Sequence, residues 1–337
     1  QKIKYLWEKI DKLDLSKEEI KILEEKYKNF IRNGALLEGS DKKRYSEINQ
    51  EISKLSVEFS QNLLTETNNF EIILTQNDLE GLPEDIITLA KETSEKKYKQ
   101  TQDRKYKDKY IFTPHRTSLY PFLTYSKRRD LREKLYKGYI MRGDNNNEFD
   151  NKEITAKIAS LRVEKANLLN FETHAHYVLD NTMAKTPSAV YDLLDQLWEP
   201  ALKRANKELI DLQELVNQEG GNFKIASWDW WYYSEKLRKE KFDLNDEEIK
   251  EFFTLDNAID GIFKTASKLF GLSFEERFDF DLYHKDARVW EVKDKNGSHI
   301  GIYICLLYTS PSPRDSWASR MPSSALKKKG GGGGGGG

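Results

Sequence analysis

Histidine suits both metal ligation and proton transfer near neutral pH, and the chain carries five: His115, His174, His176, His284 and His299. Only His174 and His176 are neighbours in sequence. On a helix a spacing of two sets the rings on widely separated faces, whereas a helical zinc pair sits at i and i+4. The pair is therefore read as two ordinary polar positions. His115, His284 and His299 have no partner at ligand spacing. There is no His-Glu-x-x-His, no Gly-x-Ser-x-Gly and no Gly-rich phosphate loop. Spacing alone assigns no catalytic, metal-binding or cofactor-binding residue.

Two other stretches have unusual chemistry. Trp228-Asp229-Trp230-Trp231-Tyr232-Tyr233 is a dense aromatic cluster. It could line a groove that grips peptide or sugar, since Trp and Tyr combine apolar area with a polar tip. The plainer expectation, preferred here, is a helix packed on several sides with those polar tips satisfied locally. The run Tyr125 to Arg142 (YSKRRDLREKLYKGYIMR) is rich in charge. Both signs are interleaved, which predicts a solvated helix face rather than a site for acidic ligands.

Composition narrows the function classes. The 337 residues carry a formal net charge of -1, but the balance is uneven. Residues 305–337 hold Arg314, Arg320 and Lys327 to Lys329 against Asp315 alone, a net +4, which leaves residues 1–304 at -5. A mildly acidic body gives no electrostatic case for nucleic acid or an anionic membrane. No apolar run is long enough to span a bilayer. The single cysteine is Cys305, so the body has no disulfide framework and no thiolate metal site. Its absence does not separate cytoplasm from an envelope compartment. The chain begins at Gln1 within a helix-like pattern and without Met, which reads as a sequence open at the front.

The elements that would position any site are mostly amphipathic helices. From Ser40, a suitable N-cap, apolar residues fall at Tyr45, Ile48, Ile52, Leu55, Phe59 and Leu63, in steps of three and four. Asn69 to Thr75 and Lys107 to Thr113 are strand candidates on either side of a turn at Asp78 to Pro83 and a helix from Pro83. Their pairing is left open. Helices are expected at Ser126 to Met141 and, after the turn-rich GDNNNEFD, at Asn151 to Leu169. Thr186 with Pro187 at the first helical position starts a long helix that should end before Gly220-Gly221. Another should run from Asp256 to Phe270 and close on Gly271. Val289 to Lys293 and Ser298 to Ile304 flank Asp294-Lys295-Asn296-Gly297, a β-hairpin signal because Asn-Gly tolerates positive φ. The fold class is mainly α, with a few short strands and a C-terminal β-hairpin.

Three further stretches are informative in combination: SWDWWYYSEKLRKEKFDLNDEEIKEFF from Ser227, GIFKTASKLFGLSFEER from Gly261 and YHKDARVWEVKDKNGSHIGIYI from Tyr283. They contain Trp228-Asp229-x-x-Tyr232-Tyr233, an acidic helix ending in Phe252-Phe253, and Tyr283-His284-x-Asp286. In that order they resemble the thimet-oligopeptidase-like zinc metallopeptidases. The doubled Trp230-Trp231 and DLLDQLWEPAL within VLDNTMAKTPSAVYDLLDQLWEPALKRA are most similar to the peptidyl-dipeptidase branch. NGALLEGSDKKRYSEINQEISKLSVEFSQNLLTETNNFE fits the same family, and the resemblance covers nearly all of Gln1 to Tyr303.

The resemblance implies a bilobed, almost entirely helical enzyme with a deep channel between its lobes. It also implies zinc held by His-Glu-x-x-His and a downstream Glu, with the motif Glu as general base to the bound water. None of those positions maps onto a residue of this chain. Residues 1–304 are thus expected to be a helical, channel-wall portion of a metallopeptidase, truncated at both ends and inactive alone. Zinc and short peptides would belong to the full-length parent. A non-catalytic helical peptide-binding or interaction protein is the alternative.

Residues 305–337 are expected to be foreign to that portion. Cys305 to Asp315 and Ser319 to Ala325 back-translate into sequences resembling, in order, the two ends of a sequencing-library adapter. Lys327 to Lys329 then read as poly-A and Gly330 to Gly337 as poly-G. The competing description is a genuine Ser/Pro/Gly-rich linker.

Overall fold

The computed structural model describes residues 2–242, 249 and 252–306. Most of the expected acidic helix before Phe252-Phe253, and residues 307–337, lie outside the described residues. The chain divides into two compact units, Gln1–Asp229 and Trp230–Gly337. The fold is mainly α, as the periodicity predicts, and no helix among the described residues is long and apolar enough to cross a membrane.

In the first unit, α1 (Lys2–Glu8) packs on α2 (Lys17–Arg32). A capping box starts α2: Ser16 Oγ accepts the Glu19 N–H and the Glu19 carboxylate accepts the Ser16 N–H. α3 (Gly39–Asn69) packs along α7 (Lys152–Leu168). The stripe read from Tyr45 to Leu63 is the sheltered side of α3, with Ile48 fully buried. Ser40 is not its N-cap. Glu38 holds that position, because its carbonyl already accepts the Lys42 N–H.

β1 (Ile72–Leu74) and β2 (Tyr110–Phe112) pair antiparallel, with Ile73 opposite Ile111. A two-stranded ribbon is marginal alone. Here it is backed by α4 (Glu84–Thr101) and α5 (Arg116–Tyr125), and Ile72, Ile111, Phe112, Leu119, Phe122 and Leu123 form a buried core.

The single helix expected over Ser126 to Met141 is instead α6 (Arg129–Ile140), preceded by the separate α5. Ser126 to Arg128 are drawn out of helical geometry by other partners. The Ser126 carbonyl accepts from the Arg132 guanidinium, and the Lys127 N–H donates to the Glu80 carbonyl. That second bond depends on a close approach at Gly81. Its φ is +90°, and a Cβ there would lie 2.4 Å from the Tyr125 carbonyl oxygen. Gly81→Ala should cost about 2–3 kcal/mol, combining left-handed strain with a clash against backbone. Gly220→Ala, at φ +77° in open space, should cost only about 1 kcal/mol. Urea midpoints of the two variants compare them directly.

α8 (His174–Leu179) leads into α9 (Pro187–Gln218), which starts on the expected Thr186 cap with Pro187 at the first position. In the second unit, α10 (Trp230–Phe242) and α11 (Leu255–Phe270) accompany an antiparallel sheet of β3 (Ser273–Arg277), β4 (Arg288–Lys293) and β5 (His299–Cys305). Gly271 closes α11 in the left-handed conformation at φ +68°. The hairpin turn is as expected, with Gly297 at φ +80° and the Asp294 carboxylate accepting the Asn296 and Ser298 N–H groups. The hairpin gains a third strand, β3, that the sequence reading did not anticipate. Phe263 of α11 stacks on Phe274 at 4.2 Å and meets Trp290 edge-on at 5.0 Å, which seals helix to sheet.

Candidate functional site

The histidines make separate local contacts. His174 and His176 both lie on the six-residue α8. His176 Nδ1 lies 2.9 Å from Thr173 Oγ1, while His174 Nδ1 is buried without a hydrogen-bond partner. Burial, reinforced by Arg162 and Lys165, pushes the His174 imidazole below its ordinary value. His115 Nδ1 meets Thr113 Oγ1 at 3.1 Å, and burial with Arg142 and Lys97 nearby likewise favours its neutral form. In the second unit His284 Nδ1 accepts the Asp286 N–H, and His299 Nδ1 lies 2.9 Å from Glu291 Oε1. Among the described residues no group of three or more His, Cys, Asp or Glu could hold a metal ion. Zinc, which the resemblance implies for the parent, does not fit the residues described here.

The structure does assemble the aromatic stretch with the charged run. Ser227–Asp229 form a single tight turn, and Asp229 is completely buried beneath α6. Its Oδ1 accepts from Arg132 Nη2 at 2.9 Å and Arg129 Nε at 3.1 Å. Its Oδ2 accepts from Arg129 Nη2 at 2.9 Å and the Ala226 N–H at 3.1 Å. Arg132 is itself only 1% exposed and also donates to the carbonyls of Ser126 and Trp228. The reading of Tyr125 to Arg142 as a solvated face is therefore corrected. The face carrying Glu133 and Lys137 meets solvent, but Arg132 points inward, because a buried carboxylate awaits it.

Both oxygens of Asp229 accept from more than one donor, an arrangement suited to holding the turn in place. What it positions is Trp228. That ring has Lys137 Nζ at 5.3 Å and the Arg129 guanidinium at 5.6 Å from its centroid, and the tilted Tyr136 ring at 6.3 Å. The expectation that the aromatic polar tips are satisfied locally fails at this residue. Trp228 Nε1 is buried and has no hydrogen-bond partner. Of the remaining cluster, Trp230 to Tyr233 form the first turn of α10, where Tyr233 is buried and stacks edge-on with Tyr232.

Beside this platform an open recess is walled by Glu66, Asn69, Lys134, Lys137, Met141 and Arg142. Glu66 anchors its floor, accepting from the Gly143 N–H, Asn145 Nδ2 and Asn147 Nδ2. These bonds fix the GDNNNEFD loop. The Lys152 ammonium braces the same loop from outside, bonded to Asp144, Asn146 and Asp150. Burial alone would raise the Glu66 carboxyl, but the three donors outweigh it and hold it below its ordinary value. A depressed carboxylate contributes stability above its unfolded pKa and loses it as pH falls through the folded one. Glu66→Gln should thus cost about 1.5–3 kcal/mol at neutral pH. The difference from wild type should shrink below about pH 4.5, where the ordinary value lies. Thermal unfolding of both proteins from pH 7 to pH 3 measures it.

The description "Peptidase family M3" matches residues 122–320, which include α6, the Asp229 turn and the three-stranded sheet. The chain belongs to peptidase family M3. Family M3 relatives align with it nearly end to end. It is 32% identical over 313 residues to a dipeptidyl carboxypeptidase of Escherichia coli (strain K12), covering 92% of this chain and 44% of that protein. It is 33% identical over 306 residues to an oligopeptidase A of Haemophilus influenzae, covering 89% and 44%. A more distant relative is saccharolysin of Saccharomyces cerevisiae, 28% identical over 319 residues. The chain spans less than half the length of these curated relatives.

Proposed function

We propose that the parent of this chain is a zinc-dependent peptidase of the peptidyl-dipeptidase or oligopeptidase kind, acting on short peptides. The observation that carries this is likeness along 92% of the chain to a dipeptidyl carboxypeptidase, with an oligopeptidase A matched almost as fully. Zinc held by residues in the rest of the parent would supply Lewis-acid polarisation and water activation for peptide hydrolysis. The sequence has no His-Glu-x-x-His and the described residues offer no metal group, so the metal ligands are assigned to the rest of the parent.

On this reading residues 1–304 supply scaffold and channel wall. The Asp229 clamp holds Trp228 as a flat apolar surface flanked by cations, suited to peptide contact and not to bond cleavage. Residues 305–337 are read as foreign to the protein. The family match, by contrast, runs on into that segment as far as residue 320, so it does not mark a boundary at 305.

Sequencing the source gene across codon 304, followed by assay of its product, tests the proposal. The complete protein should hydrolyse short peptides and lose that activity to a chelator, while the 337-residue chain should show none. Chelator-sensitive hydrolysis by the 337-residue chain alone would contradict the assignment of the metal site. A complete gene that ends at residue 337 would instead leave a helical peptide-binding protein.

A further inference from the structure

Three elements of the first unit wall the recess anchored by Glu66. Lys134, Lys137 and Gly138 share one face of α6, and Met141 continues it. Glu66 and Asn69 share a face at the end of α3, with Phe70 just beyond. Asn145 and Phe149 come from the loop that Glu66 holds. A Cβ on Gly138 would lie 2.2 Å from Phe70 Cζ, so the Phe70 ring occupies the space that a side chain on α6 would take. The recess between these walls measures about 500 Å³, the size of a small-ligand pocket.

Charge in the recess is unbalanced. Lys134, Lys137 and Arg142 meet Glu66 as the one carboxylate among the lining residues. That carboxylate is already committed to the Gly143 N–H and the Asn145 and Asn147 amides. Lys137 is paired with Glu133, whereas Lys134 and Arg142 have no carboxylate within ion-pair distance among the described residues. Arg142 is half-buried. Its Nε donates to the Tyr139 carbonyl and its Nη1 to the Thr67 hydroxyl, both neutral acceptors, and burial pulls its guanidinium below the ordinary value. A partly desolvated charge without a counter-charge carries a cost that a bound anion would offset.

The walls also select the kind of anion. Glu66 would repel a dianion more strongly than a monoanion, which disfavours phosphate. Phe70, Met141 and Phe149 offer apolar surface to an organic body. The Asn69 side chain and Asn145 Oδ1 make no hydrogen bond to another described residue, and each can accept an amide N–H. We propose that this recess binds a carboxylate attached to an apolar body, with Arg142 holding the carboxylate, Lys134 and Lys137 adding attraction, and Phe70 and Phe149 flanking the apolar part. The inference rests on the geometry of the first unit and not on the proposed activity.

Calorimetric titration of the 337-residue chain with N-acetyl-phenylalanine tests it. One-to-one binding is expected, at least tenfold tighter than that of the uncharged N-acetyl-phenylalanine amide and tighter than that of inorganic phosphate. Arg142→Gln should weaken binding at least tenfold. Lys134→Glu, at an exposed position, should weaken it at least fivefold while leaving the circular dichroism of the chain unchanged, so the test survives if the half-buried Arg142 proves necessary for folding. Lys54→Glu makes the same charge change further up α3 and should alter affinity less than twofold. Octanoate separates two sources of carboxylate. Weaker binding of octanoate supports the site and assigns it to amide-bearing carboxylates, and tighter binding supports it with a fatty carboxylate as ligand. No binding up to about 10 mM, a lenient limit for a ligand of this size, overturns the proposal. Equal affinity for the acid and its amide, a preference for phosphate, or indifference to Lys134→Glu would overturn it as well.

Discussion

Asp229→Ala should destabilise the first unit by about 3–5 kcal/mol, because it removes the carboxylate paired with a buried arginine. Arg132 is 1% exposed and its guanidinium has Asp229 as its carboxylate partner at 2.9 Å. Removing one member of a buried ion pair leaves the other charge without compensation in a medium that solvates it poorly. Arg129 is half-exposed and can recover solvation, so it contributes less to the loss. The Ala226 N–H would also forfeit its acceptor, opening the turn that carries Trp228. For a unit of this size each kcal/mol is worth about 2–4 °C, so the melting temperature should fall by roughly 10 °C. Asp229→Asn, which keeps shape and one acceptor, should lose less. The pair Arg132→Met with Asp229→Leu should recover much of the difference, since a packed apolar pair replaces a desolvated ionic one. A loss below about 1 kcal/mol for Asp229→Ala would show the cluster behaving as a surface salt bridge.

That cluster also shows where the sequence stops being informative. Elements specified by neighbours a few residues apart were legible: the α9 start at Thr186-Pro187, the α11 stop at Gly271 and the hairpin around Asn296-Gly297. Each follows from local φ preference or a side chain capping its own backbone. The inward turn of Arg132 was not legible, because its partner lies 97 residues away and the Glu133–Lys137 pair beside it signals a solvated face. β3 was likewise missed. Its Phe274-Glu275-Glu276-Arg277 run has no clean alternation, and its charges find partners only across the sheet, where Glu275, Glu276 and Arg277 pair with Lys293, Arg288 and Glu291 at positions offset from those directly opposite. The aromatic stretch was visible as composition, but its division between a turn ending at Asp229 and a helix starting at Trp230 was not.

The second large effect is expected at Phe122, in α5. Pro121 sits inside α5 and cannot donate the backbone bond expected within a helix. What holds α5 helical is its buried face. Leu119, Phe122 and Leu123 are all fully buried, and the Phe122 ring meets Phe112 of β2 at 4.6 Å in a tilted pair. Phe122→Ala should therefore cost about 3–5 kcal/mol, from lost transfer energy plus the cavity left against the ribbon. Phe122→Leu keeps most of the volume and should cost less than half as much. The two variants also separate packing from propensity. Alanine is the better helix former, so if intrinsic propensity held α5 the alanine variant would be the more stable of the pair. Urea denaturation should give the reverse order, with protection from hydrogen exchange at Ile111 and Phe112 falling in step. The β1–β2 ribbon is too small to stand alone, so the same side chain that stabilises α5 also keeps those two strands paired.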